Sequence, residues 1–253
     1  MGEIQLKTPA EMARMREAGR LVAEVLRLVS DIAEPGLSTE QLDRAAVEHI
    51  ESKGGVAAFK GYRGFPANIC TSINEEIVHG IPGARRLRQG DLLKVDVGVI
   101  WDGYFADGAV TVPVGDVTEE ARRLMQATRA ALNAALAAVR AGVRVQDISA
   151  TVQKTAESQG FSVVREYTGH GIGRALHEEP SVPNFVTRRL LGNSPVLDKG
   201  ATVAVEPMLN AGTHKTRLLE NGWTVVTRDG ELSAHFEHTI AVDEDAPVVL
   251  TLP

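Results

Sequence analysis

Between residues 8 and 33 the apolar positions Leu21, Val22, Val25, Leu28, Val29 and Ile32 recur three and four apart, the spacing of one face of an α-helix. The start of that helix is also legible: Thr8 is placed as N-cap, Pro9 at the first helical position, and Glu11 completes a capping box. The helix is predicted to reach about Ala33. A second capped helix follows from Ser38 and is stopped by Gly54 and Gly55. After a loop rich in Gly, Pro and aromatics the period changes, and "DLLKVDVGVIWDGYFADGAVTV" reads as two strands joined at Asp102-Gly103, a strong hairpin signal.

The same order then returns. Helices are predicted over about 118–140 and 145–159, followed by Gly-rich loops, strands around "VAVEPM" and a second Asp-Gly at 229–230. Laying "LRQGDLLKVDVG" over "LDKGATVAVEPM" puts Leu87 on Leu197, Gly90 on Gly200, Val95 on Val205 and Asp96 on Glu206. Likewise "DGAVTV" from Asp107 lies over "EHTIAV" from Glu237. These patterns predict an α+β chain, a single domain over 1–253 built from a duplicated α/β unit (approximately 8–115 and 118–245) whose halves meet about a pseudo-twofold axis.

Acidic residues inside such strands are unusual. Asp96 is flanked by Leu92, Leu93, Val95, Val97, Val99 and Ile100, which leave little solvent face, and a buried carboxylate needs a cation, a hydrogen-bond network or a metal. If Asp102-Gly103 is a two-residue turn, Trp101 faces Tyr104 and Gly98 faces Asp107, so Asp96 lies diagonally from Asp107 on one face. Gly98 is expected to leave room for ions there. The repeat adds Glu206 and Glu237, and such a group of carboxylates would repel and take up protons unless cations neutralised it.

Composition narrows what those cations can be. Lys and Arg number 27 against 33 Asp and Glu, a net charge of −6, so no overall basic footprint points to nucleic acid. Cys70 is the only cysteine, which removes both an intramolecular disulfide and a thiolate zinc cluster, and any metal must be held by oxygen and imidazole. No window approaches the roughly 18 apolar residues of a membrane span, and the N-terminal stretch lacks a signal-peptide core. A cytoplasmic location is expected, with no membrane partner.

Of the seven histidines, His79, His170 and His177 stand in Gly-rich or Pro-bounded segments suited to backbone bends at a cleft, whereas His49, His214, His235 and His238 have no distinctive surroundings. In "GHGIGRALHEEP" the spacing of His170 and His177 and the intervening glycines exclude the helical HExxH zinc motif.

Five strings, "NEEIVHGIPG", "KVDVGVIWDGYFADGAVT", "GHGIGRALHEEP", "TVAVEPM" and "NGWTVVTRDGELSAHFEHTIAV", run in this order over residues 74–242. The series resembles that of the type I methionine aminopeptidases, in their bacterial form. The resemblance implies the pita-bread fold, two related α/β halves around a dinuclear metal centre. It implies Asp96, Asp107, His170, Glu206 and Glu237 as ligands of two divalent ions. Oxygen-rich donors with one imidazole suit Co, Mn, Fe(II) or Zn, and Glu206, a carboxylate held at the metals, is the candidate to move the proton of an attacking water. The resemblance also implies catalytic, substrate-touching roles for His79 and His177, and a methionine slot lined by Phe59, Tyr62, Phe65, Cys70, Leu176 and Trp223.

The substrates so implied are nascent polypeptide N-termini with a small second residue, cleaved by a monomer. Two residues depart from the family pattern: Phe65 lacks the hydroxyl of a Tyr common there, and Gly108 stands where many members have Thr. Aminopeptidase P and prolidase share the ligand set but normally carry a large additional N-terminal domain; a pita-bread module that binds partners without metals would lack a ligand, and none is missing. Short basic runs at 84–89 and 187–191 are the places where a transient ribosome contact would form.

Overall fold

The computed structural model describes residues 2–252. The expected helices form: α1 spans Pro9–Ile32, α2 Thr39–Ser52, α3 Glu119–Ala138 and α4 Val145–Ser158. Thr8 accepts from the Glu11 amide while the Glu11 carboxylate accepts from the Thr8 amide, so both halves of the capping box are made. Ser38 and Gln41 repeat the device at α2. Helix α3 stops short of the predicted 140 because Val139 is already extended, with φ −80° and ψ 127°.

Nine strands make the principal sheet: β1 Val56–Ala57, β2 Cys70–Ile73, β3 Leu92–Trp101, β4 Tyr104–Pro113, β5 Gly169–Gly171, β6 Glu178–Val182, β7 Thr202–Val205, β8 Glu237–Ala241 and β9 Val248–Val249. They lie in the order β1-β3-β4-β8-β7-β5-β6, with β2 also on β3 and β9 also on β8. Every pairing is antiparallel. The β3–β4 turn is the tight one predicted: Asp102 and Gly103 take φ 46° and 78°, as a type I′ turn requires, and Trp101 pairs with Tyr104. From that turn the register runs without slip, setting Gly98 opposite Asp107 and Asp96 opposite Ala109.

Alternation along the strands then sorts the two faces. Leu93, Val95, Val97 and Val99 of β3 pack with Leu21, Val22, Val25 and Val29 of α1, while Val203 and Val205 of β7 and Ile240 of β8 pack with Leu124, Ala127 and Ala131 of α3 and Val152 of α4. Each buried Val or Leu here contributes about 1.5–3 kcal/mol relative to exposure, which locks the register. The helices thus cover one face of the sheet, and the side chains between these positions, Asp96 among them, turn to the other.

In the β4–β8 ladder Gly108 pairs with His238, and Glu237 with Ala109. The local dyad of that ladder carries Asp107 onto Glu237.

Candidate functional site

Register alone gathers the predicted acids. Cys70 pairs with Asp96, Asp96 with Ala109, and Ala109 with Glu237, one row across β2, β3, β4 and β8. An adjacent row runs from Thr239 of β8 through Ala204 of β7 to His170 of β5. Asp107 joins it by a reciprocal pair of hydrogen bonds, its amide donating to Thr239 Oγ1 at 2.9 Å and that hydroxyl donating to the Asp107 carbonyl at 2.7 Å. Glu206 follows the last residue of β7.

Ligand atoms of Asp107, His170 and Glu237 lie within 4.8 Å of one another. Asp96 and Glu206 line the same cavity, and Glu206 Oε1 is 3.6 Å from His170 Nε2. Asp107, Glu237 and His170 are buried, and Asp96 Oδ1 and Glu237 Oε1 have no hydrogen-bond partner. Burial raises the pKa of all four carboxyls: Asp96 to about 7, Asp107, Glu206 and Glu237 well above the ordinary range, with mutual repulsion adding to the last three. Orphaned buried carboxylate oxygens that repel one another fit divalent cations.

His170 fits the same purpose. Its Nδ1 donates to the Gly171 carbonyl at 2.9 Å, which leaves the Nε2 lone pair facing the acids. Burial lowers its pKa to about 3, so the ring is neutral and able to ligate.

The other two histidines stand toward the open side. His177 is exposed at the mouth, its centroid 4.1 Å from that of His170, with Tyr62 Oη 2.9 Å from its Nδ1. Packing around the ring and then the Arg63 guanidinium lower its pKa. His79 takes φ 60°, uncommon for a residue with a side chain, and presents an edge to Tyr167 at 5.5 Å and to Trp223 at 6.4 Å. Burial takes its pKa to about 4.

A cavity of about 150 Å³ opens on the cluster, and every predicted residue lines it: Phe59, Tyr62, Phe65, Cys70, His79, Asp96, Asp107, His170, Leu176, His177, Glu206, Trp223 and Glu237. Phe65 meets Trp223 edge to face at 5.1 Å, so the ring that lacks the expected hydroxyl is held by aromatic packing instead. Gly108 receives no hydroxyl either; a Cβ there would lie 3.0 Å from Val22 of α1.

One expectation is corrected. Gly98 does not make room for ions: a Cβ on it would fall 2.5 Å from Phe59 Cε1, so the vacated space holds the Phe59 ring. Three neighbours of the site were not singled out from the sequence. Arg63 is the cation lining the cavity, its guanidinium 5.4 Å from the Tyr62 ring centroid. His235 is buried with neither ring nitrogen bonded and Nε2 3.9 Å from Glu237. Lys94, two residues before Asp96, is buried and donates to the carbonyls of Asn74 and Ser233. Only the alternation that places Lys94 on the Asp96 face was available as a signal; the others come from contacts between distant segments.

The basic run at 84–89 is tied into the fold, Arg85 pairing with Glu76 at 2.8 Å and Arg86 donating to the Gly36 carbonyl. In the run at 187–191 the Arg189 side chain lies outside the described residues.

Residues 13–244 match the model of metallopeptidase family M24. The chain belongs to that family. It is 44% identical over 250 residues to a methionine aminopeptidase of Clostridium acetobutylicum, covering 98% of this chain and 99% of the relative. The solved methionine aminopeptidase of Thermotoga maritima superimposes with a TM-score of 0.96 at 41% identity, covering 99% of this chain and all of that one. An Xaa-Pro dipeptidase from Bacillus anthracis shares the fold at 20% identity and a TM-score of 0.78, this chain covering 61% of it. The pita-bread fold common to these peptidases is therefore the fold of this chain, and the chain is an aminopeptidase of the methionine type.

Proposed function

We propose that the chain removes the initiator methionine from proteins and peptides with a small second residue, using two divalent ions held by Asp96, Asp107, His170, Glu206 and Glu237. The observation that carries this is the junction of two environments in one cavity: orphaned buried carboxylates with a neutral imidazole, and beside them an apolar cluster of Phe59, Phe65, Cys70, Leu176 and Trp223. Oxygen-rich donors with one imidazole suit Mn, Fe(II), Co or Zn. The polarizable, aromatic wall suits a thioether.

When bound, such ions supply a water that ionises near neutral pH and polarise the scissile carbonyl. The chain's residues do the rest. Glu206 takes the water's proton and passes it to the departing amine. With Tyr62 Oη donating to Nδ1, His177 keeps its proton on Nε2 and donates it toward the scissile carbonyl oxygen as charge develops there. His79, neutral and half-buried against Tyr167 and Trp223, holds the substrate amide from the other side.

The two halves of the chain are read as a duplicated unit whose axis passes near Gly108 and His238, within a single domain. The enzyme is read as a cytoplasmic monomer that meets its substrates as nascent N-termini; salt-sensitive cosedimentation with ribosomes, weakened by charge reversal of Arg88, tests the docking part of that reading. Hydrolysis of Met-Gly-Met, compared with Xaa-Pro peptides after loading with each metal in turn, tests the activity. Release of methionine is expected. Cleavage of the proline peptides alone would replace this reading with a prolidase-like one.

A further inference from the structure

We propose that Lys7, in the segment ahead of α1, is a positioning residue for catalysis: its ion pair with Glu178 sets the turn that presents Leu176 and His177 to the substrate. The proposal rests on the role given to His177 above.

The turn over residues 173–178 is wrapped around one carboxylate. Glu178 Oε1 accepts from the amides of Arg174 and Ala175 at 2.7 and 3.2 Å, which draws the start of the turn back onto its end. Its other oxygen meets Lys7 Nζ at 2.5 Å, with the two side chains only 4% and 11% exposed. An ion pair so enclosed is little screened by solvent. Without Lys7 the carboxylate would be left with a buried, uncompensated charge, and the cheapest relief is to swing outward into water, taking its turn along.

Lys7 is itself held in place. Its amide donates to the Gly200 carbonyl at 2.8 Å and its ammonium also bonds the Gln5 carbonyl. Gly173 makes the approach possible: a Cβ there would lie 2.2 Å from Lys7 Cε, so the lysine stem runs through the space a side chain would fill. The Gly173 carbonyl accepts from the Phe105 amide at 2.7 Å, tying the same turn to β4. On the outer side Glu11, which completes the capping box of α1, also pairs with Arg174. Lys7 ahead of α1 and Glu11 in its first turn thus grip the turn at two places, and what the turn carries inward is Leu176, buried in the slot, and His177, bonded to Tyr62 and beside His170.

A double-mutant cycle on the metal-loaded enzyme separates positioning from general support of the fold. Lys7→Met is expected to lower kcat on Met-Gly-Met about tenfold with metal content unchanged. His177→Ala should lose more. The decisive value is the double variant, which should be no slower than His177→Ala alone, because Lys7 acts through that ring. Losses that multiply, or a Lys7→Met enzyme with unchanged kcat, would overturn the proposal.

Glu178→Gln, which keeps an acceptor for both amides but removes the charge, approaches the same pair from the other side and should show the same dependence on His177. The imidazole proton resonances of His177 give a readout independent of turnover: they should shift in Lys7→Met protein, and unshifted resonances overturn the proposal. Should the wild-type protein fail to cleave methionyl peptides while those resonances shift, the reading of function falls and the positioning of His177 by Lys7 stands.

Discussion

Phe59 occupies the space that a side chain at position 98 would need, with its Cε1 at 2.5 Å from where a Cβ on Gly98 would stand. Gly98→Ala should therefore push the ring into the cavity and narrow the proposed methionine slot. Overpacking of this kind costs about 1–3 kcal/mol of stability. We expect KM for Met-Gly-Met to rise several-fold with kcat less affected, and Phe59→Leu in the same chain to reverse the change. Steady-state kinetics on the three variants check it; an unaltered KM in Gly98→Ala would mean that Phe59 does not bound the slot.

Glu206→Gln preserves shape and removes the group assigned to proton transfer. Its loss should lower kcat by about 10²–10⁴. Asp107→Asn removes charge from the deeper part of the cluster and should reduce bound metal, read by elemental analysis of the purified protein. Equal metal content and activity in both variants would remove these residues from the proposed centre.

The raised carboxyls give a signed pH effect in metal-free protein. A carboxyl whose folded pKa is raised favours its protonated form in the native state, so its contribution is fully present below the unfolded value and is lost as pH rises through the folded value. For Asp96 that window runs from the ordinary carboxylate range up to about 7. Asp96→Asn, which cannot ionise, should therefore raise Tm relative to wild type at pH 8, with the difference closing toward pH 4. Thermal scans in chelator at the two pH values decide it, since a difference that grew on acidification would reverse the sign.

Tyr62→Phe deletes the hydroxyl bonded to His177 Nδ1 while leaving the stacked ring. Loss of that bond frees the imidazole tautomer, and a fall in kcat of about three- to tenfold is expected, smaller than the roughly hundredfold loss for His177→Ala. If Tyr62→Phe equalled His177→Ala, Tyr62 itself would have to touch the reacting atoms.

How much of this was legible beforehand depended on range. The β3–β4 register followed from a two-residue turn at Asp102-Gly103, because such a turn fixes every pair after it, and with it the placement of Asp96 diagonal to Asp107. The cluster of Asp107, His170 and Glu237 brings together segments far apart in sequence, and the motif series, not periodicity, pointed to His170. Gly98 was misjudged because nothing local says that a ring from residue 59 will fill the gap. Arg63, His235 and the partner of Lys7 were missed for the same reason: each acquires its meaning from a residue that only folding brings near.

Asp96, Asp107 and Glu237 ride on ladders pinned by α1 and α3 from behind, whereas Phe59, Tyr62, Phe65, Leu176 and Trp223 stand on connecting segments or just outside the principal strands. On the proposed reading, reactivity and selectivity are therefore mounted on separate mechanical parts. A change of accepted side chain can be sought by exchanging residues of the wall without retuning the ions, while a shift of one residue in the floor would turn all its acids into the hydrophobic layer at once.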